Sequence, residues 1–245
     1  MSKILFIVAT HGNETIGLDV IKKIALKYPK DKYNYSWVIG NPKAFSRGKR
    51  FIEADLNRSS PGDLESTIYE ERRAFEILKL SKSYDLVIDI HGSNSNCGIV
   101  TIITDPKRCN LKLAESVPIE NNVIWFSENS KIKGPITQHA QSPSIEIECG
   151  PMDSARVGES LRVVLEKILE DNLSEGKPYS KGKKEYFEVY GKIEGTWDGK
   201  LIDFNKTTIR GESFYPFMSS QYLGITCYKM RKVSLESFKL KIKER

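Results

Sequence analysis

Short apolar runs alternate with amphipathic stretches of helical period through the first two-thirds of the chain, and nothing else in the sequence narrows the fold as far. Residues 3–9 (KILFIVA) are almost continuously apolar, as a strand buried on both faces must be. Residues 15–28 place Ile16, Val20, Ile21, Ile24 and Tyr28 on one helical face. A second strand is expected at 35–39, stopped by Gly40-Asn41-Pro42, and a charged amphipathic helix at 64–80. Strands follow at 85–90 (DLVIDI), 99–104, 123–126 and 144–149, and a long helix at 154–169 turns Val157, Leu161, Val164, Leu165 and Ile168 inward. Repeated β-α alternation predicts an α/β domain, a mixed central sheet with helices on both faces.

The pattern breaks near 174–185 (SEGKPYSKGKKE), which is charged, glycine-containing and almost free of apolar residues, and reads as a linker. Beyond it, YFEVYGKIE, KLIDF, ESFYPFM, GITCYKMRKVSL and FKLKIK are short, rich in β-branched and aromatic residues, and separated by turn signals. The expected organisation is an α/β domain over 1–175 and a small β-rich module over 186–245. In the last segment Phe238, Leu240 and Ile242 alternate with Lys239, Lys241 and Lys243, as in an edge strand with a solvated face.

Composition excludes little but is consistent. Hydrophobic residues make up 39% of the chain, enough for a core. No apolar run approaches the roughly 20 residues of a membrane span, and the N-terminal run suits a strand better than a signal peptide. The expected location is the cytoplasm, with four cysteines scattered as reduced thiols. A net charge of +6 suits an anionic small substrate, and a nucleic-acid role would rest on charge alone.

In an open α/β sheet, ligands bind beyond the carboxyl ends of the strands. Three polar clusters fall there: His11-Gly12-Asn13-Glu14, His91-Gly92, and Glu148-Cys149-Gly150-Pro151. The chain has only three histidines, and two of them sit at such ends. His11 and Glu14, three apart in a strand-to-helix turn, converge on one point, and His91 supplies a third donor. Two His and one Glu with an open fourth position is a catalytic type of zinc site. Asp89 is placed to accept the other ring N–H of a metal-bound histidine, with the choice of histidine left open. Glu148 is placed to act as general base, and Glu146, on the same strand face, competes with it or is a buried carboxylate paired with Arg or Lys. His139 has no acidic neighbour in sequence and reads as a surface or supporting residue. The basic run 47–58 (RGKRFIEADLNR) is either a solvated loop or an anion site, in which Asn57 and Arg58 hold a carboxylate and Arg50 polarises a carbonyl.

Taken in order, THGNETIG (10–17), GNPKAF with KRFIEADLNR (40–58), DIHG (89–92) and IECGP (147–151) make the chain resemble the aspartoacylase and succinylglutamate desuccinylase family, zinc hydrolases related in fold to metallocarboxypeptidases. FEVYGKI (187–193) resembles the start of that family's C-terminal β module. The resemblance implies one zinc per chain on His11, Glu14 and His91, Glu148 as general acid/base, Arg50 on the scissile carbonyl, and Asn57 and Arg58 on a substrate carboxylate. It also implies a tyrosine from the C-terminal module, best matched by Tyr222, with Tyr228 and Tyr215 as rivals. One departure concerns substrate: the family's aspartoacylases carry an Arg ten residues before the catalytic Glu, where this chain has Gln138. The C-terminal module is also shorter than in typical members.

The expected function is zinc-dependent hydrolysis of a small anionic N-acyl amino acid, with no nucleic-acid or membrane partner and with a homo-oligomer left open. A carboxypeptidase-like peptidase using the same residues, and a noncatalytic zinc- or anion-binding relative, are the alternatives.

Overall fold

The computed structural model describes residues 2–126, 133–171, 182–236 and 238. Its strands are β1 (Ile4–Val8), β2 (Tyr35–Ile39), β3 (Leu86–Gly92), β4 (Gly98–Ile103), β5 (Asn121–Ile124), β6 (Ser144–Gly150), β7 (Glu185–Glu194), β8 (Thr207–Ile209), β9 (Glu212–Phe217) and β10 (Ile225–Val233). They form one mixed sheet in the order β2-β1-β3-β6-β4-β5-β7-β10-β9-β8. The half from β2 to β6 is parallel, β4 runs antiparallel to β6, and β8, β9 and β10 form an antiparallel meander whose last strand pairs antiparallel with β7.

The helices are α1 (Ile16–Lys27), α2 (Lys30–Tyr33), α3 (Pro42–Ser46), α4 (Tyr69–Ser81), α5 (Arg108–Ser116), α6 (Ile136–His139) and α7 (Ala155–Glu170). Strand alternation divides them between two faces. Ile4, Phe6 and Val8 of β1 join the core formed with α1, α5 and α7, whereas Leu5 and Ile7 pack with Ala74 and Ile77 of α4 and Ile136 of α6. Burial on both faces is why β1 is apolar at every position. Among the described residues, no helix is long and apolar enough to cross a membrane.

Three sequence expectations need correction. The helix expected at 64–80 begins only at Tyr69, because Asp63 and Ser66 accept hydrogen bonds from the amides of Glu65 (3.0 Å) and Ile68 (3.1 Å) and hold the approach as turns. The KLIDF segment is a loop: Asp203 Oδ1 accepts from the amide (3.1 Å) and hydroxyl (2.6 Å) of Ser219, which anchors the loop to the end of β9. Phe238, expected to open a strand, lies in a helical turn with its amide bonded to the Ser234 carbonyl at 3.1 Å, and 239–245 fall outside the described residues. Of the linker expected at 174–185, residues 174–181 also fall outside them.

The C-terminal strands extend the main sheet. β7 pairs in parallel with β5, and Phe187, Phe217 and Met230 share a core with Val100, Ile102 and Val123.

Candidate active site

Chain direction changes abruptly after β1. Ala9 takes a positive φ of 51°, a costly conformation for a residue with a side chain, and Thr10 and His11 are thrown above the strand end. Gly12 then lies flat against the 44–50 segment and donates its amide to the Arg50 carbonyl at 3.0 Å. A Cβ there would strike the Phe45 amide nitrogen and approach the Lys49 carbonyl oxygen to 2.6 Å. Glu14 follows just before α1, and His91 and Glu148 arrive side by side because β3 and β6 are in register at that pair.

The side chains of His11, Glu14 and His91 are buried and offer ligand atoms within 4.8 Å of one another. His11 Nδ1 lies 2.8 Å from Glu14 Oε1 yet lacks hydrogen-bond geometry. His91 Nδ1 lies 3.1 Å from Glu14 Oε2, which also accepts the Gly92 amide at 3.0 Å. On its far side His11 Nε2 meets Asp55 Oδ1 at 2.9 Å, and His91 Nε2 lies 3.2 Å from Asp89 Oδ2. Asp89 is itself held by the Thr10 hydroxyl at 2.8 Å. Each imidazole thus has a carboxylate behind it and a ring nitrogen turned toward Glu14. Convergent buried donors, one of them unpartnered, fit a divalent cation.

The same crowding sets the electrostatics of the cluster. Burial alone would neutralise these groups, but the Glu14 and Asp55 carboxylates raise the pKa of His11, and Asp89 and Glu14 raise His91 well above its ordinary value. Burial likewise opposes ionisation of Glu14, yet the two histidines hold it well below the usual carboxylate range. Glu148 behaves differently: burial, with Glu14 and Glu146 nearby, pushes it up to about 8. A cation among the three donors would act in the opposite direction on that carboxyl.

A cavity of about 350 Å³ opens over this cluster, and all the expected site residues except Asp89 line it. Asp89 is fully buried behind His91. Arg50 donates to Glu14 Oε1 at 3.0 Å and to Asp55 Oδ2 at 3.4 Å, and its guanidinium lies 6.0 Å from the Tyr222 ring centre. Of the three candidate tyrosines only Tyr222 lines the cavity; Tyr228 lies against Trp125 with the rings tilted by 60°, and Tyr215 packs edge-on to Phe187. Asn57 Nδ2 donates to Glu146 Oε1 at 3.2 Å, and Arg58 donates to the Asn57 carbonyl at 2.8 Å. Glu146 forms no ion pair with Arg or Lys among the described residues; its Oε1 accepts from Asn57 and Thr137, and His91 Nε2 lies 4.0 Å from the same oxygen. His139 ends α6 and does not contribute to the cavity wall.

Sequence reasoning missed two supporting residues. Asp55 was readable only as part of the basic run, although an acidic residue two before Asn57 signals the cap it forms on that turn. Glu70 is fully buried and accepts from Asn41 Nδ2 and the amides of Ile52, Glu53 and Ala54 at 2.7–3.2 Å, shaping the loop between Arg50 and Asp55. Its position on α4, among other charged residues, concealed it.

The family model for the succinylglutamate desuccinylase/aspartoacylase catalytic domain matches residues 1–174. The chain belongs to that family. A probable aspartoacylase from Trichodesmium erythraeum (strain IMS101) is 26% identical over 226 residues, covering 84% of this chain and 75% of that protein. Among solved structures, murine aminoacylase 3 superposes with a TM-score of 0.71 at 19% identity, covering 95% of each chain. Succinylglutamate desuccinylase from Chromobacterium violaceum gives 0.70 at 16% identity, over 96% of this chain and 85% of that one. The mixed α/β sheet with helices on both faces, expected from the sequence, is therefore this family's carboxypeptidase-like fold.

Proposed function

We propose that this desuccinylase/aspartoacylase family member is a zinc-dependent hydrolase that removes the acyl group from an N-acyl amino acid. The observation that carries the reading is the convergence of His11, Glu14, His91, Arg50, Glu148 and Arg58 on one cavity. His11 Nδ1, the Glu14 carboxylate and His91 would hold one zinc ion, which when bound supplies Lewis acidity and lowers the pKa of water toward 7. Glu148 takes the proton of the attacking water on its carboxylate and later delivers it to the leaving amine nitrogen. Arg50 offers guanidinium N–H groups to the oxygen of the scissile carbonyl as negative charge develops there. Arg58, oriented through the Asn57 carbonyl, binds the substrate carboxylate, and Asn57 supports it. Tyr222 closes the cavity from the C-terminal segment, so residues 1–175 act as the catalytic domain and 186–245 as a module that walls its site.

The test is a screen of N-acetyl and N-succinyl amino acids with metal analysis on the same sample. Hydrolysis of at least one substrate is expected, with zinc near one per chain. Glu148→Gln should lower kcat by at least about 100-fold and keep its zinc; full activity in that variant would refute the mechanism.

A further inference from the structure

The reaction accounts for Glu148 but leaves Glu146 without a task. Glu146 stands on β6 two residues earlier, pairs across the sheet with Asp89 on one side and Ile102 on the other, and lines the same cavity. Its Oε1 accepts from Asn57 Nδ2 and from the Thr137 hydroxyl, both at 3.2 Å. Thr104 Oγ1 lies 2.8 Å from Thr137 Oγ1, so the hydroxyls run as a chain from Thr104 through Thr137 into Glu146. Among the described residues, Oε2 accepts nothing. The two donors hold Oε1 in place, and the second oxygen is left to receive an N–H group and, as a carboxylate, to repel a second one.

The cations of the wall sharpen the point. Among the described residues its arginines and lysines are Arg50, Arg58 and Lys133. Arg50 is paired with Glu14 and Asp55, and Lys133 with Glu71. Arg58 forms no ion pair among the described residues, and position 138 brings an uncharged amide to the wall. One guanidinium is therefore available for one substrate carboxylate, in a cavity that already contains an additional carboxylate.

We infer that Glu146 determines specificity: the site takes N-acyl amino acids with a single carboxylate, bound by Arg58, whose side chain ends in an N–H donor received by Glu146, and it discriminates against dicarboxylic substrates. This inference rests on the deacylase reading above.

Kinetics and binding test it separately. Zinc-loaded wild-type protein and Glu146→Gln are assayed with α-N-acetylornithine, N-acetylglutamine and N-acetylglutamate. Wild type should favour the ornithine and glutamine derivatives over the glutamate derivative by at least about tenfold in kcat/KM. Glu146→Gln keeps an acceptor for Asn57 and Thr137, and should lose about tenfold on the ornithine derivative while changing little on the glutamine derivative. A purely structural role would move all three substrates together. Gln138→Arg, which supplies a second cation, should raise use of the glutamate derivative. A wild-type preference for N-acetylglutamate, or a ratio that Glu146→Gln does not move, overturns the inference. Calorimetric binding of the same three compounds to Glu148→Gln protein separates the two failures. Absence of hydrolysis counts against the deacylase reading, whereas tighter binding of the ornithine derivative still supports the role of Glu146 and tighter binding of the glutamate derivative refutes it.

Discussion

Glu70 shows how far from the chemistry a decisive residue can lie. It touches none of the expected metal donors, yet its carboxylate satisfies three backbone amides of the loop that starts at Arg50 and ends at Asp55. Glu70→Ala would remove the acceptor shared by these part-buried amides and by the buried Asn41 side chain, and should cost about 1–3 kcal/mol of stability, read from the urea midpoint. Asp55 acts closer in. Its Oδ1 lies 2.9 Å from His11 Nε2, which Arg50 Nη2 also approaches at 2.9 Å, and the ring is held with its other nitrogen toward Glu14. Asp55→Asn should weaken zinc binding about 10–100-fold in competition with a chromogenic chelator, with little change in fold. Unaltered affinity would mean that Asp55 merely caps its turn. The histidine partner left open by the sequence is settled by position: Asp89, on the same strand, backs His91, and Asp55, on a separate loop, backs His11.

At the scale of elements, the legible parts were those whose apolar spacing is dictated by a single environment. The bounds of β2 match because Gly40-Asn41-Pro42 stops the strand, and those of α1 and α7 match to within a residue at each end because each buries one apolar stripe. α7 packs on α1, and its Leu161, Leu165 and Ile168 are fully buried in the core the two helices share with the sheet. Leu165→Ala should therefore destabilise by about 2–5 kcal/mol. Val163→Ala, at a position 53% exposed on the same helix, should stay within about 0.5 kcal/mol. Chemical denaturation of both variants checks the facing of the helix. The short elements α5 and α6 escaped sequence reading. α5 buries Asn110 along with Leu111, Leu113 and Ala114, and that asparagine serves the sheet, accepting the Ser144 amide at 2.8 Å. A polar residue buried for a distant partner breaks the apolar stripe by which a helix is recognised.

Over the whole molecule, the continuity of the sheet has the largest consequence. The composition break near 174 suggests separable parts, but β5 and β7 pair across it, and the core around Val123 and Phe187 draws on both sides. A fragment ending at residue 171 would expose Val100, Ile102 and Val123, which the full chain buries. It should lack cooperative thermal unfolding and bind a hydrophobic dye. A cooperative transition with native-like circular dichroism would show instead that the α/β part folds alone. Zinc removal tests the molecule from the other end. Because the three donors span β1, α1's entry turn and β3, chelation should lower Tm, corresponding to about 4 kcal/mol if zinc is present at 1,000 times its Kd.

The sequence by itself determined which segments are buried strands, which polar clusters sit at their ends, and, through four ordered motifs, the family. Those properties are local: apolar period and motif spacing are written along the chain. Only the tertiary structure decided that Asp55 serves His11, that Glu70 shapes the Arg50 loop, that Glu146 faces the cavity with Asn57 and Thr137 as partners, and that Tyr222 rather than Tyr228 or Tyr215 reaches it. Each of these depends on contacts between residues far apart in sequence, whose geometry is set by strand register and loop path and leaves no periodic trace in the chain.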